Sequence, residues 1–204
     1  LYPAMEDYKC DYVIGSGPSA RVVQISIEKF TLIGATTRLG LLSRPLRDRF
    51  GIPLQLSFYE PEDLMKIIIL NSKKLKFLIS EDSALEIAKR SRGTPRIAIR
   101  LLKRIIDFSI VNEEDKIDLT SAKESLKKMK IDSEGLDDMD RRYMNSIAND
   151  FHGGPVGIET LSAALLEHKD IIEDVIEPYL MQKGLVQRTS RGRILSQKGL
   201  EHIK

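Results

Sequence analysis

Near one end the chain reads Leu185-Val-Gln-Arg-Thr189, then Ser190-Arg191-Gly192, then Arg193-Ile-Leu-Ser196. Two short strand-like runs about a Ser-Arg-Gly turn form a β-hairpin pattern. Three helical stretches come before it, at 137–151, 157–167 and 169–183, with apolar residues at three- and four-residue spacings. Three helices followed by a basic hairpin predict a winged helix. The helix in the recognition position, 169–183, carries Asp170, Glu173, Asp174 and Glu177 against Lys169 and Lys183. Carboxylates are repelled by a phosphate-lined groove, so this helix is expected to stay out of the major groove. Contact with a polyanion is expected from the hairpin, directed at phosphates and independent of base sequence.

The charge distribution agrees. The net charge of the 204 residues is +2, yet residues 184–204 hold five cations (Arg188, Arg191, Arg193, Lys198, Lys204) and one acid, Glu201. That end is therefore +4 and the remaining 183 residues are −2. The asymmetry suggests a polyanion contact at the hairpin; the plainer alternative is a solvated basic surface. At 42% apolar and 30% charged residues the composition is that of an ordinary globular chain. No apolar run approaches the ~20 residues that span a bilayer. The single cysteine, Cys10, has no internal partner, which favours a reducing, cytosolic setting. The opening Leu1-Tyr-Pro-Ala-Met-Glu-Asp-Tyr8 reads as the middle of a domain, with the character neither of a leader nor of a start.

Upstream of the winged-helix pattern, residues 61–75, 81–92, 94–112 and 119–130 carry helical periodicity and predict a small all-α domain. The acidic, Gly-containing stretch Ile131–Asp138 reads as a linker. Before residue 61 the period is that of strands. Residues 11–14 and 21–27 flank Gly15-Ser-Gly-Pro-Ser-Ala20 as a hairpin, with Val23, Ile25 and Ile27 on one face. Phe30–Ala35 reads as a buried strand of a parallel sheet, Pro45 opens a helical turn to Phe50, and Leu54–Phe58 reads as another strand. The fold class is α/β followed by all-α.

Several motifs could carry chemistry. Gly15-Ser-Gly-Pro-Ser-Ala20 has the spacing of a dinucleotide fingerprint, but strictly alternating β-branched residues come after it where a helix is required, so it is a hairpin tip. If that hairpin protrudes, its apolar face is a patch for a partner; otherwise it is sheet core. The chain contains no G-x-x-x-x-G-K-[ST] loop, and His152, His168 and His202 lack metal-ligand spacing. Glu113-Glu114-Asp115 and Asp137-Asp138-Asp140 read as solvated loops or helix N-termini. Gly34-Ala-Thr-Thr-Arg38 places two hydroxyls after an expected buried strand, as a ligand site or as turn chemistry. Arg47 and Arg49 flank Asp48, as surface ion pairs or as a clamp on a neighbouring subunit's γ-phosphate. In Gly93-Thr-Pro-Arg96, Thr94 is placed to cap a helix whose first turn holds Arg96, beside an anionic ligand or simply at the surface.

Taken together, Leu1–Tyr8, Gly34–Arg38, Pro45-Leu-Arg-Asp-Arg-Phe-Gly51, Gly93–Arg96, Phe151-His-Gly-Gly-Pro-Val-Gly157 and Gln187–Arg193 closely resemble the RuvB family, over essentially the whole chain and in order. These are AAA+ ATPase motors of bacterial Holliday-junction branch migration, acting in recombination, repair and the SOS response. The resemblance implies that 1–60 is the C-terminal part of an AAA+ α/β domain, 61–133 a helical AAA+ lid and 134–204 a winged-helix DNA-binding domain. It implies ATP with Mg²⁺ as cofactor, the P-loop and Mg²⁺-binding Asp-Glu strand lying upstream, so that these 204 residues alone are expected to be inactive as an ATPase. By the same resemblance Thr36 and Thr37 match the sensor I region and Arg49 the arginine finger acting in trans. Arg96 matches sensor II, and Glu6, Asp7, Tyr8 and Tyr59 match nucleotide-binding positions. Ile25 and Ile27 on the 11–28 hairpin match contacts to RuvA, and Arg188 and Arg193 match contacts to DNA. Implied partners are Holliday-junction and double-stranded DNA, RuvA, further copies in a homohexamer and the resolvase RuvC, in the cytoplasm and away from membranes. Two rival readings remain: a winged-helix DNA-binding regulator without ATPase activity, and a clamp-loader-like AAA+ scaffold.

Overall fold

The computed structural model describes residues 2–17 and 20–203. They fall into two compact units that divide between Leu56 and Ser57. Each unit has its own character.

The first unit opens with helix α1 (Tyr2–Glu6) and continues into the antiparallel hairpin β1 (Lys9–Ile14) and β2 (Arg21–Ser26). The hairpin is present as expected; Pro18 and Ser19 of its tip lie outside the described residues. Both faces are exposed along both strands, including Tyr12, Val13, Val22, Val23 and Ile25. A short 3₁₀ turn (Leu39–Leu41) and helix α2 (Arg44–Arg49), with Pro45 in its first turn, complete the unit. The two further expected strands do not form: Phe30–Ala35 and Leu54–Phe58 are outside any ladder, and Ile33, Leu54 and Leu56 are exposed. An apolar run becomes a strand only when a neighbour takes up its amides and carbonyls, and no strand runs beside either segment among the described residues. None of the described residues of this unit is buried.

The second unit holds two hydrophobic cores. The first belongs to α3 (Pro61–Lys74), α4 (Glu81–Lys89), α5 (Pro95–Val111) and α6 (Leu119–Lys128), and centres on Leu64, Ile68, Ile87, Leu102, Ile105 and Leu126. Chain chemistry sets the helix starts: Pro61 and Pro95 in first turns, Ser80 accepting from the Ser83 amide, and a reciprocal Asp118–Ser121 capping box. Thr94 takes the expected cap position of α5, but its hydroxyl donates to the Arg92 carbonyl at 3.2 Å and makes no cap bond. Two-residue parallel strands β3 (Leu78–Ile79) and β4 (Lys116–Ile117) join the helix pairs.

The second core gathers Tyr143, Met144, Ile147, Leu161, Ile172, Leu180 and Leu185. They come from helices α7 (Asp138–Asn145), α8 (Ile158–Leu165) and α10 (Glu177–Gln182) and from the segments between and after them; the short helix α9 (Lys169–Ile171) buries none of its residues. A π-helical turn at Ile172–Ile176 connects α9 to α10 just before Pro178. Proline has no amide to donate back to the preceding turn and its ring crowds that turn's carbonyl, so the backbone widens there instead of breaking. The hairpin β5 (Val186–Thr189) and β6 (Gly192–Leu195) comes next, and helix α11 (Gln197–His202) closes the chain. Val156 bonds to Arg193 through both backbone groups, at 2.9 and 2.8 Å, and so fastens the hairpin to the helices. Three helical segments and a wing form, as the periodicity predicts.

The centre of this domain is an ionised cluster. Glu177 is 2% exposed and accepts from Tyr143 Oη at 3.0 Å and from Arg193 Nε at 2.7 Å. Burial, then the adjacent Glu177 charge, pushes the Tyr143 phenol upward, so it remains a donor. Removing one partner of a buried ion pair strands the other charge and costs about 3–5 kcal/mol, whereas replacing both with apolar groups can be neutral. Arg193→Ala should therefore lower unfolding stability by about 3–5 kcal/mol, and Arg193→Met with Glu177→Leu should recover most of it. Urea denaturation measures both; a loss below about 1 kcal/mol for the single variant would show that the pair does not hold the domain.

Candidate nucleotide and DNA interfaces

The residues expected around a nucleotide divide between the two units. Glu6, Asp7, Tyr8, Thr36, Thr37 and Arg49 lie in the first, and Tyr59 and Arg96 in the second. In the first unit the fold brings Glu6 and Arg49 together as an ion pair, with the Arg49 guanidinium 4.5 Å above the Tyr2 ring and Nη1 donating to the Pro45 carbonyl at 2.8 Å. Tyr2 Oη in turn lies 3.1 Å from Ser43 Oγ, which ties α1 to the start of α2. Arg49 Nε is buried without a hydrogen-bond partner. Asp48 pairs with Arg44 at 3.9 Å, leaving Arg47 exposed. Tyr8 stands edge-on to Phe30, Asp7 is exposed, and Thr36 and Thr37 lie on an exposed turn where Thr36 Oγ1 accepts from the Arg38 amide at 3.0 Å.

In the second unit, Tyr59 and the Gly93 turn meet directly, the Tyr59 amide donating to the Gly93 carbonyl at 2.9 Å. Gly93 has a left-handed backbone, and a Cβ there would lie 2.6 Å from Phe58 Cβ, so glycine alone admits this approach. The contact brings the Tyr59 segment to the turn that leads into Arg96. Arg96 is exposed in the first turn of the 17-residue helix α5, where Pro95 has no amide to offer and the amides of Ile97 and Ala98 donate to the Thr94 carbonyl, both at 3.1 Å. An exposed guanidinium at the positive end of a helix suits the oxygens of a polyphosphate, so Arg96 fits a nucleotide's phosphate end.

At the wing, Arg188 and Arg193 face each other across the strand pair, where like charges repel. The acidic helix resolves the conflict. Glu173 pairs with Nη2 of both arginines, at 2.7 Å to Arg193, and Glu177 holds Arg193 Nε and lies 3.4 Å from Arg188 Nη2. Glu173 and Glu177 are therefore not free carboxylates facing a groove; they neutralise the wing. Burial opposes the Arg193 charge, but bonds to Glu177 and Glu173 outweigh it and raise its pKa. Arg193, at 7% exposure, has its guanidinium paired with Glu177 and Glu173, an internal arrangement unlike that of the half-exposed Arg188. Arg188 is half-exposed, and Arg191 stands exposed at the tip beside Gly192. Sequence reasoning counted Arg191 in the charge but did not single it out; its place next to the turn glycine was the available signal. The apolar candidate Ile25 is exposed on β2 opposite Cys10, and Ile27, half-buried, lies just past the strand.

Family models described as "Holliday junction DNA helicase RuvB P-loop domain", "RuvB AAA lid domain" and "RuvB C-terminal winged helix domain" match residues 1–56, 59–132 and 133–204. The Holliday junction branch migration complex subunit RuvB of Gluconobacter oxydans (strain 621H) is 56% identical over 203 residues, which cover 100% of this chain and 58% of that one. The Thermotoga maritima RuvB Holliday junction branch migration motor superposes with a TM-score of 0.85 at 44% identity, over 100% of this chain and 63% of that one. The P216G mutant of the same protein gives 0.86 over 64% of its chain. This chain thus spans about three fifths of the length of the relatives it matches. With three RuvB models following one another along it and more than half its residues identical to a RuvB subunit, the chain belongs to the RuvB family.

Proposed function

We propose that this chain is the lid, winged helix and adjoining part of the ATPase domain of an ATP-driven DNA translocase that moves Holliday junctions in recombination and repair. The domain division taken is 1–60, 61–133 and 134–204. The observation that carries the reading is the junction of two modules in one compact unit: a lid presenting Arg96 in an exposed first helix turn and a winged helix presenting Arg188 and Arg191. The functional protein is a homohexameric ring in the cytoplasm that works on double-stranded DNA with RuvA and RuvC. The exposed face around Ile25 and Ile27 takes RuvA, because an apolar two-stranded ribbon without a core of its own gains most from a covering partner.

ATP with Mg²⁺ supplies the phosphoanhydride whose cleavage drives the motor. Arg96 holds phosphate oxygens of its own subunit's nucleotide, with Tyr59 beside the same turn, and Thr36 and Thr37 present hydroxyls on the sensor I side. Glu6, Asp7 and Tyr8 also stand at nucleotide-binding positions, and Glu6 pairs with Arg49. Arg49 acts in trans by stabilising developing charge, and Glu6 holds it ready until that charge competes for the guanidinium. A clamp of this kind supplies about 10³–10⁵ in rate while adding little to ground-state binding. In the full-length protein, Arg49→Ala should lower ATP turnover by about 10³-fold or more and leave nucleotide affinity within about 3-fold. Single-turnover kinetics and nucleotide titration measure the two; near-wild-type turnover would remove the finger assignment.

DNA is held by its phosphates at the wing, through Arg188 and Arg191, with Arg193 fixing the hairpin from behind. Each phosphate contact contributes about 0.9 to the slope of log K against log salt. Arg188→Gln should therefore flatten that slope by about 0.9 for duplex DNA, equally for unrelated sequences. Glu173→Gln should act oppositely, strengthening binding, since a carboxylate that competes for Arg188 is gone. Fluorescence anisotropy over a salt series reads both; an unchanged slope in Arg188→Gln would exclude the wing as the DNA grip.

A further inference from the structure

The acidic stretch between lid and winged helix reads in sequence as a linker, yet its backbone is held from both sides. The Ile131 carbonyl accepts from Arg90 Nη1 at 3.1 Å and the Gly135 carbonyl from Arg92 Nε at 2.8 Å, both from the lid. From the winged helix, Arg141 takes the Lys130 and Leu136 carbonyls at 2.6 and 3.0 Å, and Tyr179 Oη takes that of Glu134 at 2.6 Å. A mobile linker leaves such groups to water. The approach is close: Gly135 has a left-handed backbone, and a Cβ there would lie 2.7 Å from the Arg90 carbonyl oxygen. Asp132 ties down the same loop by accepting from the Glu134 and Leu136 amides and pairing with His202 at 2.8 Å.

Arg92 is the centre of this clamp. It and Gly93 are both left-handed, an uncommon conformation for a residue with a side chain, held here by what its side chain grips. Its Nη2 pairs with Asp140 and lies 3.2 Å from Asp137, and its guanidinium stacks 5.0 Å over the Tyr179 ring. Asp140 is 1% exposed, so of the two readings of this acidic stretch the helix N-terminus holds for it and the solvated loop does not. It is also part of the reciprocal capping box that starts α7. Burial pushes its carboxyl up to about 6 against the pull of Arg92.

We propose that Arg92 is a positioning residue that makes lid and winged helix a single rigid lever, passing displacement of the Arg96 turn to the wing that grips DNA. This deepens the function proposed above and rests on it. The connection is continuous in space. Arg92 lies four residues before Arg96; it grips Tyr179 of α10, two residues beyond Glu177, and Glu177 holds Arg193 beside Arg188. Rigid elements joined by such contacts carry coupling, and the physical warrant for it is a change in both ends when the middle is altered.

The experiment uses full-length protein with spin labels at the exposed positions Lys123, in the lid, and Ala164, in the winged helix. Wild type should give one narrow distance distribution. Arg92→Gln should broaden it, keep ATP turnover and KM within about 2-fold, and reduce base pairs migrated per ATP by about 5-fold or more. Tyr179→Phe, which removes the hydroxyl that bonds the Glu134 carbonyl and Lys183 but keeps the ring under Arg92, should move the distribution and the coupling ratio in the same direction and serves where Arg92→Gln does not fold. A distribution as narrow as wild type in the folded variants overturns the lever. A parallel loss of ATP turnover and migration overturns Arg92 as a positioning residue, since it would then serve the nucleotide. If wild type itself moves no junctions, the function proposed above fails, while the distance measurement still decides whether the two domains are locked.

Discussion

A carboxylate buried in the winged helix organises everything around it. Glu177 at 2% exposure has lost its water, and an ion in that position must find compensating donors or the domain does not close. Tyr143 and Arg193 provide them. Meeting that need sets three separate features: α7 must bring Tyr143 to α10, the wing must fold back so that Arg193 points inward, and Glu173 must lie where it reaches both opposed arginines. The π-helical turn ahead of Pro178 spans Glu173 and connects it to Glu177. Local backbone chemistry at a proline and the placement of two charges are thus one problem with one solution.

The two units of the chain differ in what holds them. In the second, two apolar cores are joined by a strap whose carbonyls are gripped by arginine and tyrosine side chains from each side. Charged hydrogen bonds of this geometry are stronger than neutral ones and are directional, so they fix an orientation that apolar contact alone would leave open. In the first unit none of the described residues is buried, and its most elaborate contact is a guanidinium held between a carboxylate, a carbonyl and a ring. A cation held by few bonds is cheaper to redirect than one built into a core, which is the property that the action proposed for Arg49 on another subunit requires.

Periodicity made the helices legible almost to the residue, because Leu64, Ile68, Ile87, Leu102 and Ile105 recur at helical spacing and prolines or capping residues mark the starts. It failed for Phe30–Ala35 and Leu54–Phe58, since pairing is a property of the neighbour and not of the run itself. It also failed at the charges. Composition counts Asp140, Glu173 and Glu177 as acids on a surface, whereas each is paired with an arginine 16 to 48 residues away. Nothing local in Ile131–Asp138 distinguishes a flexible linker from a clamped one, because the donors that clamp it come from elsewhere in the chain. The wing, by contrast, was visible as a hairpin with its charge, though which arginine faces outward was not.

The pairing of the wing also bears on how a moving grip is made. An arginine that stands free in water must shed its hydration to meet a phosphate, and binding then deepens with each contact made. Arg188 is already partnered by Glu173, so in the proposed motor a phosphate exchanges with a carboxylate of like charge and geometry. The guanidinium stays paired before and after, which leaves a small net gain per contact and a ready partner on release. Grip strength is then set by the number of wings engaged around the duplex and not by the depth of any one contact. A translocating ring has to let go as often as it takes hold, and an acidic helix placed behind a basic wing gives it a means of doing so without reading the sequence it travels along.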